Sequence, residues 1–166
     1  MKYLYLAFCL VCMVGEVLGN YNWTELTTTG TKPSARHAHS SILYNGKMVM
    51  FGGWVSSSEK KNDAWALNLT SYKWTELQTS ATKPSARDSH SSILYDGKMV
   101  IFGGYDVGGY KNDVWTLNLT SYTWTEMTTS ATKPSARDRH SSILYNEKMV
   151  LFGGRVGSSE IKNDAW

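Results

Sequence analysis

The chain after residue 36 alternates short apolar runs with turn-forming residues, a pattern that predicts β-strands rather than helices. The runs SSILY (residues 40–44) and KMVMF (47–51) flank an Asn-Gly pair, and the two central residues of a type I′ hairpin turn both need a positive φ. Two glycines end the second run, and AWALNL (64–69) and KWTEL (73–77) follow. The unit therefore predicts four short antiparallel strands.

This unit recurs at intervals of 50 or 51 residues, and the one-residue differences all fall between the Gly-Gly and Asn-Asp motifs. Repeats of this length indicate a stacked architecture. The third copy has Asn146-Glu147 at its hairpin turn, so we expect that turn to be strained or of another type. The recurring positions are Arg36, Arg87 and Arg137; His39, His90 and His140; Gly52, Gly53, Gly103, Gly104, Gly153 and Gly154; Asp63, Asp113 and Asp164; and the fourth-strand residues Trp74 and Trp124.

A four-stranded sheet of this size cannot bury both faces alone, so its copies must stack, and a ring of such sheets is a β-propeller. The pattern over residues 20–166 closely resembles the kelch repeat. The shared marks are the double glycine, the third-strand tryptophan, the fourth-strand tryptophan and the lead-in Pro33-x-x-Arg36-x-x-His39. The resemblance implies an all-β fold of kelch-type, four-stranded antiparallel blades.

The repeat region, residues 20–166, divides into an outer strand at 20–28, blades at 37–77 and 88–127, and a partial blade at 138–166. The two partial pieces add up to one more blade, and a mixed blade of this kind often closes a kelch ring. Three blades fall short of the usual 4–8. We therefore expect an incomplete ring or an open arc, and favour a truncated product, since an open arc exposes apolar faces and unpaired edges.

Residues 1–19 predict a signal peptide, because a short basic start precedes an apolar run and a small-residue cleavage site. An uncleaved signal anchor and a misannotated start on a cytosolic-type kelch adaptor are the alternatives. Both cysteines, Cys9 and Cys12, lie in this segment, so the mature chain would lack disulfides and thiolate metal sites. We expect a secreted or secretory-pathway protein with no membrane insertion after cleavage.

Composition and motifs limit the classes of partner and cofactor that we expect for this chain. The chain is 42% hydrophobic and 19% charged with a net charge of +3, a globular composition whose mild basicity does not predict nucleic-acid binding. The mature chain has no cysteine for a galactose-oxidase-type radical cofactor. The iron pattern of nitrile-specifier proteins, Glu-x-x-x-Asp-x-x-x-His, begins at Glu59 and Asp63 but has Leu67 in place of His. We predict no catalytic residue, metal or cofactor.

The repeated Arg, His and Asp residues are interpreted as structural, because a residue needed once per blade serves the blade. Strand order brings Arg36 and Asp63 to one edge of the sheet, where they can form a charge-assisted pair beside the glycines. The alternative is a ring of the three histidines that binds a metal.

Positions that differ between the repeats carry the functional hypothesis. They follow the repeated Arg and the double glycine, and strand order places both sets on one face of the propeller. Trp, Tyr and Arg dominate binding hot spots, and peptide-binding kelch propellers typically use these loops. The ligand-binding candidates are Trp54, Tyr105, Tyr110, Arg155, His37 and Arg139. Neutral drift in exposed loops is the alternative.

Asn22, Asn68 and Asn118 each begin an Asn-x-Thr sequon and are candidate N-glycosylation sites, although the same residues can simply complete a hairpin. The function predicted is an extracellular kelch-repeat binding module for a protein or glycan ligand. The alternative is a truncated extracellular kelch-type oxidase or carbohydrate-active enzyme whose catalytic part lies beyond Trp166.

Overall fold

The computed structural model describes residues 23–56, 58–129 and 132–166. These residues form sixteen strands and no helix, which confirms the all-β prediction. Among them no helix is long and apolar enough to span a bilayer.

The first blade is an antiparallel meander in which the strands follow one another from the inside to the outside. Its sheet has the order β1-β2-β5-β6, and a separate two-stranded hairpin, β3–β4, leaves the sheet at the end of β2. The strands are β1 (Ser40–Tyr44), β2 (Lys47–Phe51), β3 (Trp54–Ser56), β4 (Glu59–Lys60), β5 (Ala64–Asn68) and β6 (Trp74–Leu77).

The second blade repeats this arrangement with the sheet order β7-β8-β11-β12 and the hairpin β9–β10. Its strands are β7 (Ser91–Tyr95), β8 (Lys98–Phe102), β9 (Tyr105–Asp106), β10 (Gly109–Tyr110), β11 (Val114–Asn118) and β12 (Trp124–Met127). The inner strands β1 and β7 lie side by side, and so do β7 and β13, which places the blades around a common axis.

The third repeat is a partial blade. It contains the inner pair β13 (Ser141–Tyr145) and β14 (Lys148–Phe152) and the hairpin of β15 (Arg155–Val156) and β16 (Glu160–Ile161). Its third strand is reduced to a single bridge between Phe152 and Ala165. The ring is therefore incomplete over the described residues.

Two elements differ from the sequence prediction. The variable segments after the double glycines are short hairpins rather than loops. The outer strand predicted at 20–28 does not form over its described part: residues 23–28 have no strand, and the third strands of the first two blades, β5 and β11, pair with β6 and β12 instead. Residues 20–22 lie outside the described residues.

The three two-residue turns share one geometry. In the first, φ is 47° at Asn45 and 69° at Gly46. In the third, φ is 46° at Asn146 and 61° at Glu147. Of the two outcomes expected for Glu147, the structure adopts the strained one, a positive φ that costs a residue with a Cβ about 1–2 kcal/mol.

The core lies between the first two blades. Phe51 is fully buried and packs edge-on against Trp124, with a centroid distance of 4.8 Å, and against His90 at 5.5 Å. Side chains from both faces of β5 are buried, including Ala64 and Trp65. Each blade thus buries its face against the next one.

Backbone hydrogen bonds near the axis join successive repeats. The Gly53 N–H donates to the Arg87 carbonyl at 2.8 Å, and the Ser89 N–H donates to the Ala38 carbonyl at the same distance. The second pair of repeats forms the same two bonds, from Gly104 to Arg137 and from Arg139 to Ser89. These bonds fix the position of each blade relative to the next, so that the hairpins lie on one side of the ring.

Candidate functional site

A repeated Arg–Asp frame supports the site. Arg87 donates from Nη1 and Nη2 to the two carboxylate oxygens of Asp113, at 2.6 and 2.8 Å, and Nη1 also donates to the Gly103 carbonyl at 3.0 Å. Trp115 Nε1 donates to the same carboxylate at 2.9 Å. The other two repeats form equivalent contacts, Arg36 with Asp63 and Arg137 with Asp164. The contact that strand order predicts is therefore present in each repeat.

Electrostatics favour the ionised form of these carboxylates. Burial raises the pKa of Asp113, but the hydrogen bond and charge of Arg87 and the bond from Trp115 outweigh it, so the net pKa is lowered. Arg87 is 1% exposed, and a charge so deeply buried needs its partner. All the Arg87 contacts are internal, and they fix the double glycine against the start of the third strand.

The double glycines leave no room for side chains. A Cβ on Gly53, whose φ is 102°, would lie 2.9 Å from the His37 carbonyl oxygen and 2.9 Å from His39 Cβ. A Cβ on Gly52 would lie 2.8 Å from the Arg87 carbonyl oxygen of the next repeat. The pair therefore holds each hairpin against two repeats at once.

The histidines pack between repeats. His90 is buried over the first double glycine, and desolvation, followed by the charge of Arg87, lowers its pKa to about 3. His140 shares a 2.8 Å hydrogen bond with Ser91, and burial is the main cause that lowers its pKa to about 4. Within residues 23–56, 58–129 and 132–166, no three metal-binding side chains converge on one point.

The three short hairpins form what we call the upper face. Trp54, Tyr105 and Arg155 occupy equivalent places at the hairpin bases, and each bridges to the residue after the repeated Arg: His37, Asp88 or Asp138. The Trp54 ring also lies 5.3 Å from the His37 ring. The structure therefore brings the two sets of variable positions together.

Adjacent hairpins touch through aromatic and cationic side chains. Lys60 Nζ lies 4.0 Å from the Tyr105 ring centroid and donates to the Tyr105 carbonyl at 3.0 Å. The Tyr110 ring lies 5.0 Å from Tyr105 and 5.6 Å from the Arg155 guanidinium. Lys60 Nζ also lies 6.0 Å from the Trp54 ring centroid, so these five side chains from three repeats make one continuous band.

Buried carboxylates lie beneath this band. Arg155 donates to Asp138 at 2.9 Å, and Asp138 is only 1% exposed. Asp88 is 4% exposed and lies 3.6 Å from Lys60. Arg155 therefore neutralises a buried charge, whereas the Arg139 side chain is 62% exposed.

Sequence reasoning missed Lys60, Asp88 and Asp138 as members of this site. The available signal was partial: Asp follows the repeated Arg in the second and third repeats, where the first repeat has His37.

The sequon asparagines cap the outer turns. Asn68 Oδ1 accepts hydrogen bonds from the N–H groups of Thr70 and Ser71, at 2.8 and 2.9 Å, and Asn118 makes the equivalent pair of bonds. Glycan attachment at Asn68 and Asn118 remains a prediction. Asn22 lies outside the described residues.

The lower face carries the two-residue turns. A cleft of about 210 Å³ opens there between the first two blades. Its walls include Tyr44, Lys47, Leu77 and Tyr122. It is smaller than the 300–1,000 Å³ typical of small-molecule sites, so we place the candidate site on the upper face.

Comparison with known families decides the fold family. The KLHDC2/KLHL20/DRC7 Kelch-repeats domain matches residues 13–166. The chain belongs to the kelch-repeat family. This match confirms the kelch resemblance that we inferred from the repeats, and kelch repeats indicate a protein-binding module.

Three relatives each match about half of this chain. The leucine-zipper-like transcriptional regulator 1 homolog of Drosophila melanogaster is 34% identical over 51% of this chain and 9% of its own length. Dynein regulatory complex subunit 7 of Chlamydomonas reinhardtii is 33% identical over 52% of this chain and 8% of its own. Host cell factor 2 of Homo sapiens is 32% identical over 52% of this chain and 12% of its own length. The chain thus matches only about a tenth of each relative.

Proposed function

We propose that this kelch chain is an extracellular, non-enzymatic module that binds a protein segment on its upper face. The observation that carries the proposal is the continuous band of Trp54, Lys60, Tyr105, Tyr110 and Arg155, drawn from three hairpins. Large aromatic and arginine side chains in contact are typical of binding hot spots.

The charge of the face favours an acidic segment. Arg139 has an exposed guanidinium beside the band, and the carboxylates of Asp88 and Asp138 are buried and already engaged by cations. A peptide that carries Asp or Glu beside an apolar residue would meet both the exposed cation and the aromatic rings.

A displayed library of random peptides tests this function. The full chain is used to select peptides, and their affinity is then measured for Trp54→Ala, Tyr110→Ala and Arg139→Ala. Loss of an anchor typically costs ~2 kcal/mol, which is a roughly 30-fold weaker Kd. Lys98→Ala is the matched control, since Lys98 is an exposed cation on the lower face.

Two results would contradict the proposed surface. One is binding that survives the three upper-face changes but is lost in Lys98→Ala. The other is the absence of any selected peptide while a glycan array, probed in parallel, shows specific binding. The second result would favour the glycan ligand that the sequence also allows.

Extracellular placement rests on residues 1–19 and has its own test. When the full chain is expressed in animal cells, the secreted form should begin near Asn20 by mass spectrometry. If Asn68 or Asn118 carries a glycan, glycosidase treatment and Asn→Gln changes should lower its mass. Retention of an uncleaved chain inside the cell would overturn the export proposal.

A further inference from the structure

The turn of the first blade contains a pair of residues that can react with each other. Asn45-Gly46 is the one Asn-Gly pair in the sequence, and every other asparagine is followed by Tyr, Trp, Asp, Leu or Glu. When glycine follows asparagine, the backbone nitrogen of the glycine can attack the side-chain amide carbon of the asparagine, because no Cβ shields that nitrogen. The pair is therefore a candidate site for spontaneous deamidation.

The structure leaves the attacking nitrogen accessible. Asn45 and Gly46 are both exposed, and a Cβ built on Gly46 would have no neighbour within 4 Å. The Gly46 carbonyl accepts a hydrogen bond from the Leu69 N–H at 2.9 Å, but the Gly46 N–H donates to no backbone group of the described residues. Solvent base can therefore reach this N–H without any opening of the blade.

Asparagine amides elsewhere in the blades are held in place by hydrogen bonds. Asn62 Nδ2 donates to the Pro84 carbonyl at 3.3 Å, and Asn68 Oδ1 accepts two backbone hydrogen bonds in its outer turn. Within the part of the chain that the structure describes, no hydrogen bond holds the Asn45 side-chain amide. This amide is therefore free to turn toward the Gly46 nitrogen.

The turn of the third repeat is a built-in comparison. Asn146 is exposed like Asn45, and its φ of 46° matches the 47° of Asn45. Its neighbour is Glu147, whose Cβ crowds the backbone nitrogen and whose carboxylate disfavours the loss of a proton from that nitrogen. The two asparagines thus share a backbone geometry and an exposure but differ in the reactivity of the next residue.

The turn of the second repeat already contains the acid that deamidation would produce. Asp96 occupies the place of Asn45 with a φ of 46°, and its carboxylate lies 3.7 Å from Lys98 Nζ. Lys47 is the equivalent lysine in the first turn. An aspartate at position 45 is therefore compatible with the turn and would face a cation.

We propose that Asn45 is a site of non-enzymatic deamidation in the folded protein, and that Asn146 is not. The Gly46 nitrogen loses its proton to solvent base and bonds to Asn45 Cγ, the Cγ–Nδ2 bond breaks, and ammonia leaves. Water then hydrolyses the resulting succinimide at one of its two carbonyl groups. The products are aspartate and isoaspartate, and no oxidant or reductant takes part.

The two products change the lower face in different ways. Aspartate adds one negative charge beside Lys47, and both positions line the cleft of about 210 Å³ between the first two blades. Isoaspartate also adds a methylene to the backbone between Tyr44 and Lys47, which pair across the turn. The reaction therefore alters the charge of the lower face and leaves the upper-face band as it is.

Peptide mapping of the aged protein tests the site. The full chain is incubated in mildly alkaline buffer, its fold is checked by circular dichroism, and acid digestion with mass spectrometry locates each conversion of amide to acid. We expect Asn45 to convert several-fold faster than Asn146, and faster still as pH rises, because the attacking nitrogen must lose a proton. Equal rates at the two asparagines, or an unchanged Asn45, would overturn the proposal.

Exchanging the residues that follow the two asparagines tests the cause. Gly46→Glu gives the first turn the dipeptide of the third, and Glu147→Gly gives the third turn the dipeptide of the first. Conversion at Asn45 should slow several-fold in Gly46→Glu, and conversion at Asn146 should accelerate several-fold in Glu147→Gly. Glu147→Gly removes a residue with a Cβ from a positive φ, so its fold should be retained even if Gly46→Glu unfolds. An unchanged rate at Asn146 in folded Glu147→Gly would refute the proposed mechanism.

Discussion

The second and third repeats share nearly the same inner strands but have very different environments. Ile93 is 6% exposed and Phe102 is 3% exposed, whereas Ile143 and Phe152 are 62% and 56% exposed. Within the described residues, the second blade has a neighbour on each side, and the third has a neighbour on one side only. The comparison shows that a kelch repeat acquires its core from the next repeat, so burial depends on position in the ring.

The first repeat shows the same effect on its opposite side. His39 is exposed, but its counterparts His90 and His140 are buried by the preceding repeat at 6% and 8% exposure. Equivalent residues therefore differ in physical role, and paired substitutions can measure that difference.

The largest difference should appear between Phe51→Ala and Phe152→Ala. Phe51 is fully buried against Trp124 and His90, and its loss should lower the free energy of unfolding by about 3–5 kcal/mol. Phe152 is half exposed, so its loss should cost less than about 1 kcal/mol. Urea denaturation measures both, and equal losses would refute the dependence on a neighbouring blade.

Comparing Gly103→Ala with Gly153→Ala should separate two contributions to the loss of stability: overpacking between blades and backbone strain. Both glycines have a positive φ, 64° and 69°, so both changes share a strain of about 1–2 kcal/mol. A Cβ at Gly103 would also lie 2.8 Å from the Arg137 carbonyl, which should add about 1–3 kcal/mol of overpacking. Gly153 has only the Lys162 carbonyl nearby, at 3.2 Å. Thermal melts that shift equally would contradict this account.

Acid should destabilise the protein through the histidines between blades. The native state keeps His90 neutral, with its pKa lowered to about 3, whereas the unfolded chain binds the proton near 6.5. Stability should therefore fall as pH drops from 6.5 toward 3. The Asp63 and Asp113 carboxylates have pKa values below 3.8, so their contribution is lost only at lower pH.

Melting temperatures measured between pH 6.5 and about 4.5 isolate the histidine effect from the carboxylates. His90→Gln should flatten the profile in this window, because it removes a histidine that the native state keeps buried and neutral. An identical slope in wild type and His90→Gln would show that His90 is not the group responsible.

The smallest effect should come from the third turn. Glu147→Gly removes a positive φ of 61° from a residue with a Cβ and should stabilise the protein by about 1 kcal/mol. Gly97→Glu places the same strain in the second turn and should lose a similar amount. Chemical denaturation of the two variants should therefore show shifts of opposite sign.

Sequence reasoning predicted the elements whose cause lies within one repeat. The turns with their positive φ values, the inner strands and the Arg36–Asp63 contact all follow from local spacing and strand order. It could not predict that Ile143 is exposed while Ile93 is buried, because the two share the same local sequence. Residues 23–28, the described part of the outer strand expected at 20–28, form no strand, and the local sequence could not predict this because it does not encode whether a partner strand lies alongside.

The candidate site was predicted only in part. The positions of Trp54, Tyr105 and Arg155 follow from the repeat, but their contacts depend on the offset between blades, which no local pattern encodes. The short hairpins were missed because a segment such as residues 54–60 (WVSSSEK) has too few alternating apolar residues to indicate strands. Arg155, a predicted ligand-binding residue, also holds the buried Asp138, so its removal would affect stability as well as binding.

One hydrogen bond closes the base of every hairpin. The N–H of Lys61, Lys111 or Lys162 donates to the carbonyl of the second glycine at 2.8–2.9 Å, although the hairpins differ in length by one residue. Insertions above this bond need not disturb the stacking of the blades below it. The sequence of each hairpin can therefore change while the blades below it still fold. A foreign peptide grafted between Gly53 and Lys61 would accordingly be displayed on an unchanged kelch fold.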